Sequence, residues 1–169
     1  DGYDAVNTHE PKTVEVEGSK TWIDADNQDG FRPASITINL LADGEVIDTA
    51  TVTEADGWKW SWTDLPMYKV GAQGKEVSYT VTEDAVAEYT TEIDGYDAVN
   101  THVPETVEVA GTKTWTDADN QDGIRPEVIV INLLADGEII DTVNVTAQEG
   151  WSWKWTDLPK YKVGEQGQL

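Results

Sequence analysis

The stretch that decides the fold is Val16-Glu17-Gly18-Ser19-Lys20-Thr21-Trp22, repeated with small changes as Val109-Ala110-Gly111-Thr112-Lys113-Thr114-Trp115. Read as a strand, it alternates: Val14, Val16, Lys20 and Trp22 share one face, because strand side chains repeat every two residues. That face is the one expected to be buried, and it carries a lysine. Buried lysines are rare and usually paired. Two readings follow: the amine reaches out at a strand end, or it has something to react with.

The repeat sets the organisation. Asp1-Gly2-Tyr3-Asp4-Ala5-Val6-Asn7-Thr8-His9 recurs as residues 94–102, and Lys20 recurs as Lys113, so both offsets are 93 residues (94 less 1, 113 less 20). A period of that length is a small domain and is too long for a solenoid repeat. The expected division is residues 1–9 as the last strand of a preceding repeat, 10–103 as a complete repeat, and 104–169 as an incomplete second repeat lacking its final strands. A sandwich without those strands exposes core and edges. The expectation is that further chain completes it, or strands of another copy, with residues 1–9 of that copy as one source.

Within a repeat, short strands alternate with turn residues. Strands are expected over 12–22, around Ile36, Ile38 and Leu40, over 46–53, over Trp58-Lys59-Trp60-Ser61-Trp62, over 77–83, and over 89–93 and 96–102. Ala42-Asp43-Gly44-Glu45 carries the Asp-Gly hairpin signal, and Asp64-Leu65-Pro66 is expected to stop the fourth strand. No segment sustains a helical period. About seven short strands in about 90 residues indicate an antiparallel β-sandwich of immunoglobulin-like size.

Composition narrows the function. The 169 residues carry a formal charge of −22 and no cysteine, with 8 Trp but one Phe and one Met. Disulfides and thiolate metal sites are excluded. Two histidines, His9 and His102, leave little for a zinc or histidine-based centre. Nucleic acid is not expected as a partner, because its phosphates would be repelled, and no apolar run is long enough for a membrane helix. No metal and no cofactor are expected. Such a chain suits a secreted or surface-displayed bacterial protein.

Three groups of residues invite chemistry. Asp24-x-Asp26-x-Gln28-Asp29-Gly30 has the look of a calcium loop, but the sixth position is Asp29 where the EF-hand needs Gly, and the twelfth is Ser35 where it needs Glu; it reads as a polar loop. The Trp58, Trp60 and Trp62 stripe reads as core, with a sugar-stacking platform as the alternative. The third group is Lys20, Glu83 and Asn100. Glu83 follows Val77, Tyr79 and Val81, and Asn100 follows Tyr96 and Ala98, each late in its strand on the inward face. Isolated, each would cost several kcal/mol or shift its pKa. Together they are expected to be able to satisfy one another, and they also have the means to react. Burial favours the neutral amine and the protonated carboxyl. A protonated Glu83 polarises the Asn100 carbonyl, Lys20 attacks it, and ammonia leaves. The other reading is a lysine salt-bridged to Glu83 at a strand end.

These residues, with Asn-Gln-Asp-Gly-x-Arg-Pro, Trp-x-Trp-x-Trp-Thr-Asp-Leu-Pro-x-Tyr, Thr-Val-Thr-Glu and Val-Asn-Thr in order, resemble the Cna B-type domain of Gram-positive adhesins and pilins. The resemblance covers residues 10–103 and continues through 104–169. It implies tandem inverse immunoglobulin-like β-sandwiches, all-β throughout, acting as a structural stalk repeat of a cell-surface adhesin. It implies an isopeptide crosslink between Lys20 on the first strand and Asn100 on the last, assisted by Glu83, and no enzyme beyond that single turnover. Lys113 and Asn7 match the bonding positions, but their partners lie outside the sequence, so they are unpaired equivalents. Neighbouring repeats are the implied partners; no host ligand is implied. Neither a sortase Leu-Pro-x-Thr-Gly signal nor a Tyr-Pro-Lys-Asn motif occurs, so wall attachment is expected through other parts of the parent protein. The competing class is a binding module that recognises a glycan or host protein through Trp or an edge strand.

Overall fold

Strand β1 (Thr13–Ile23) lies at the centre of the first sheet and changes partner halfway along its length. In the computed structural model, which describes residues 2–164, its first half pairs antiparallel with β4 (Lys59–Pro66), from Thr13 opposite Pro66 to Ser19 opposite Lys59. Its second half pairs parallel with β7 (Asp97–Thr101), from Lys20 opposite Ala98 to Ile23 opposite Thr101. An edge strand, β6 (Thr90–Asp94), completes the sheet in the order β4-β1-β7-β6. The facing sheet has β2 (Ser35–Ala42) between β3 (Glu45–Thr53) and β5 (Tyr79–Glu83).

The alternating pattern explains why these sheets face each other. Val16, Trp60 and Ala98 from one sheet meet Ile36, Ile38, Leu40, Val52 and Val81 from the other in a single core. Ile38, Leu40 and Ala98 are fully buried. The Asp-Gly hairpin forms as expected, with Asp43 at φ 52° and Gly44 at φ 89°, the two positive angles that match the twist of the flanking strands.

Two details of the fourth strand differ from the sequence reading. Trp58 lies outside the strand: a short 3₁₀ turn at Glu54–Asp56 and Gly57 precede it, and Trp58 itself has φ 56°. Asp64-Leu65-Pro66 does not stop the strand. A bulge opposite Val14 and Val16 absorbs the irregularity, and pairing resumes through Pro66. The fifth strand begins at Tyr79, because the Val77 amide bonds Met67 outside the ladder. The Trp stripe is core: Trp60 is 6% exposed, and Trp58 and Trp62 pack against the same cluster.

The chain divides into two compact units: one holds the described residues up to Pro104 together with 161–164, and the other is Glu105–Lys160. In the second unit β8 (Thr106–Thr112) pairs with β11 (Ser152–Pro159), and β9 (Val128–Ala135) pairs with β10 (Glu138–Thr146). These repeat β1 to β4, including the bulge between β8 and β11. The second half of β1 has no counterpart, since residues 113–116 form no strand. Val109 is accordingly 39% exposed, against 1% for its equivalent Val16. Residues 4–12 form no strand, and Tyr3 and Val6 are exposed. Among the described residues no helix is long and apolar enough to cross a membrane.

Candidate functional site

Lys20 is the first residue of β1 to pair with β7, and Asn100 lies on β7 opposite Trp22. Parallel neighbours two register steps apart present the same face, so both side chains point into the sandwich. Lys20 is 6% exposed and Asn100 is fully buried. Glu83 arrives from the facing sheet, at the end of β5 opposite the buried Ile38. The Lys20 ammonium donates to both carboxylate oxygens, Nζ lying 2.7 Å from Oε1 and 2.8 Å from Oε2. Neither side chain has any exposed surface. The Trp22 ring lies 4.8 Å from Nζ and adds a cation–π contact.

Burial pushes the Lys20 pKa down, and the hydrogen bond and charge of Glu83 offset only part of that effect. The amine is thereby brought closer to its neutral, nucleophilic form. Asn100 is the other anomaly. Its Oδ1 and Nδ2 are both buried, and neither has a hydrogen-bond partner. An unpaired buried amide costs on the order of 1–3 kcal/mol per group, and native structures keep few of them. Asn100 is thus a buried carboxamide without partners on the strand that pairs with the Lys20 end of β1.

The structure therefore brings Lys20, Glu83 and Asn100 into one buried region. It does not do so for the two unpaired equivalents. Lys113 is exposed beyond the end of β8, its Nζ resting 4.9 Å from the Trp115 ring. Asn7 is exposed in the stretch that forms no strand.

Two features escaped sequence reasoning. Thr91 on β6, directly opposite Asn100, donates its hydroxyl to Glu83 Oε2 at 3.0 Å. All five β6 residues are exposed, so no burial pattern marks it. The loop after β1 is also more than a solvated connection. Asp24, 2% exposed, takes Arg32 through Nη2 at 2.6 Å and Nε at 3.0 Å, and the Tyr89 hydroxyl at 2.8 Å. Burial alone would raise the Asp24 pKa; the bonds from Arg32, the Asn27 amide and Tyr89 outweigh it and hold it low. Asp29 in the same loop is buried against His102, whose Nε2 is 3.0 Å from Oδ2. Among the described residues no group of three His, Cys, Asp or Glu side chains is placed to hold a metal ion.

The chain matches the profile of the Cna protein B-type domain twice, over residues 16–101 and 109–168. A collagen adhesin of Staphylococcus aureus is 42% identical over 161 residues, covering 95% of this chain and 13% of the adhesin. The chain thus spans a small part of that relative's length. The crystal structure of a single B repeat unit (B1) of the collagen-binding surface protein Cna of Staphylococcus aureus aligns with a TM-score of 0.51 at 41% identity, covering 92% of this chain and 82% of that one. The structure of two such units (B1B2) gives a TM-score of 0.52 at 41% identity, covering 92% and 41%.

Proposed function

The chain belongs to the Cna protein B-type domain family, and from that premise we propose that it is a stalk repeat of a bacterial surface adhesin that locks itself by an isopeptide bond between Lys20 and Asn100. The observation that carries the proposal is the pairing of a buried amine on Glu83 with a buried carboxamide that has no partner of its own.

The chemistry balances without any cofactor. Lys20 passes a proton to Glu83 and attacks Asn100 Cγ as the neutral amine. The protonated carboxyl hydrogen-bonds the carboxamide oxygen as negative charge develops there. The excess proton on the attacking nitrogen moves through Glu83 to Nδ2, the Cγ–Nδ2 bond breaks, and ammonia leaves. Ammonia then takes the remaining proton, and Glu83 returns to the carboxylate. The net change is an ammonium and a carboxamide converted into a secondary amide and an ammonium ion.

The bond ties the first and last strands of the sandwich, which are already neighbours in one sheet. By analogy with disulfides, closing a loop of about 80 residues restricts the unfolded chain by roughly 4–5 kcal/mol. Under tension the tie carries load from β1 to β7 past the rest of the domain. Unlike a disulfide it is not reducible. The repeat would stand at the bacterial cell surface among neighbouring repeats of tandem inverse immunoglobulin-like sandwiches. Residues 1–9 would supply the last strand of a preceding repeat, and 104–169 would be completed by further strands. Tryptic digestion tests the assignment: a branched peptide joining the Lys20 and Asn100 segments is expected from the wild type and is absent from Glu83→Ala.

A binding role is the second reading. A shallow groove lined by Asn27, Arg32, Pro33 and Trp58 recurs in the second unit at Asn120, Arg125, Pro126 and Trp151. Glycan or host-protein binding there would quench tryptophan emission, and Trp58→Ala combined with Trp151→Ala would abolish the quenching.

A further inference from the structure

We propose that Thr91 is a positioning residue for the crosslink, fixing which oxygen of Glu83 handles the transferred proton. The inference rests on the isopeptide reading above and assigns a fourth side chain to it.

Lys20 contacts the two carboxylate oxygens almost equally, at 2.7 and 2.8 Å. A carboxylate held that way has no preference between its ends, and its terminal torsion is soft. Thr91 breaks the symmetry. Its hydroxyl lies 3.0 Å from Oε2 alone. Oε2 therefore accepts from two donors, the Lys20 ammonium and the Thr91 hydroxyl. Oε1 keeps more of its lone-pair capacity and is the oxygen placed to take the proton. When Oε1 carries that proton, Thr91 still has an acceptor in Oε2, so the carboxyl plane is held through the whole transfer.

The placement of Thr91 supports this role. β6 is the edge strand, and Thr91 is the residue directly opposite Asn100 in the β6–β7 ladder. Trp22 flanks Asn100 from the other side, on β1. Asn100 is thus bracketed by an indole and by the residue that orients its acid. Thr91 is exposed as a residue while its hydroxyl reaches a carboxylate with no exposed surface. A threonine serving only the strand would have no need of that bond, since its hydroxyl could bond water instead.

The test follows bond formation in the full chain. Unlinked protein recovered in guanidinium is refolded by dilution, sampled over time into acid, and weighed intact to follow loss of ammonia. Thr91→Val keeps the shape and removes the donor; it is expected to slow bond formation by about tenfold. Thr91→Ala is expected to match it. Thr91→Ser keeps the hydroxyl and is expected to remain within about twofold of the wild type. Tryptophan emission confirms that each variant refolds. Wild-type rates in both Thr91→Val and Thr91→Ala would overturn the assignment while leaving the crosslink intact. So would Thr91→Ser being as slow as Thr91→Val, since the methyl and not the hydroxyl would then matter. A wild type that never loses ammonia would overturn the crosslink itself.

Discussion

Lys20 and Glu83 reach each other from opposite sheets of one sandwich, 2.7 Å apart and sealed from solvent on both sides. A buried pair of this kind adds little stability over apolar packing, but breaking it by removing one partner is costly. Lys20→Met should therefore be less stable than the double variant Lys20→Met, Glu83→Leu, by about 3 kcal/mol. Neither variant can crosslink, so thermal unfolding compares them directly. Equal melting temperatures would mean that Glu83 finds another partner when Lys20 is gone.

Gly18 sits where β7 comes in beside β1. A Cβ there would lie 2.0 Å from the Tyr96 carbonyl oxygen and 2.8 Å from the Trp60 ring. The Ser19 amide and hydroxyl also hold Asp97 Oδ1, at 2.7 and 3.0 Å, so this is the point that sets the β1–β7 register. Gly18→Ala should destabilise the first unit by about 1–3 kcal/mol and reduce the crosslinked fraction, measured by calorimetry and intact mass on the same sample.

The two copies share an Asp–Arg pair in different surroundings. The Asp24 side chain is 1% exposed beside Arg32, whereas Asp117 is 29% exposed beside Arg125. Arg32→Ala leaves a buried carboxylate short of its main partner and should cost about 3 kcal/mol. Arg125→Ala should cost distinctly less, because water replaces the lost partner. Denaturant unfolding of the two variants checks the ordering.

His102 gives the first unit a pH dependence. Burial of its ring lowers the pKa, but the hydrogen bonds to Asp29 and to the Glu88 carbonyl, with the Asp29 charge, outweigh that and raise it. A folded-state pKa above the unfolded value stabilises the protonated fold. The contribution is complete below about pH 6.5 and is lost as pH rises through the raised value. Unfolding midpoints should fall between pH 6 and pH 9, and His102→Gln should flatten that decline. The Asp24 carboxyl has the opposite sign: its stabilisation is present above the usual carboxylate range and is lost as pH falls through the lowered value.

Most of the strands and their inward faces are legible in the sequence because period-two alternation reports burial directly. Val16, Lys20, Ile38, Leu40, Val81, Ala98 and Asn100 all lie inside as the pattern required. Polar residues at the ends of such patterns stood out for the same reason. What the pattern could not reveal was lateral: which strands are neighbours, and which exposed residue turns a hydroxyl inward. Thr91 sits in a strand with no buried residue, so only the β6–β7 register exposes its bond to Glu83. The Asp24 loop differs from its polar reading in degree, because three donors from Arg32 and Tyr89 hold a buried residue that the local sequence presents as solvated. Trp58 left its expected strand because the turn at Glu54–Asp56 and Gly57 consumes the alternation before it.

The intact mass of the refolded chain decides whether Lys20 and Asn100 are joined. Wild-type protein should be lighter than its sequence by one ammonia, and Lys20→Ala, Glu83→Ala and Asn100→Ala should have their full sequence masses. A wild type at full sequence mass after complete refolding would contradict the account. The buried Lys20–Glu83 pair would then be a structural ion pair and nothing more.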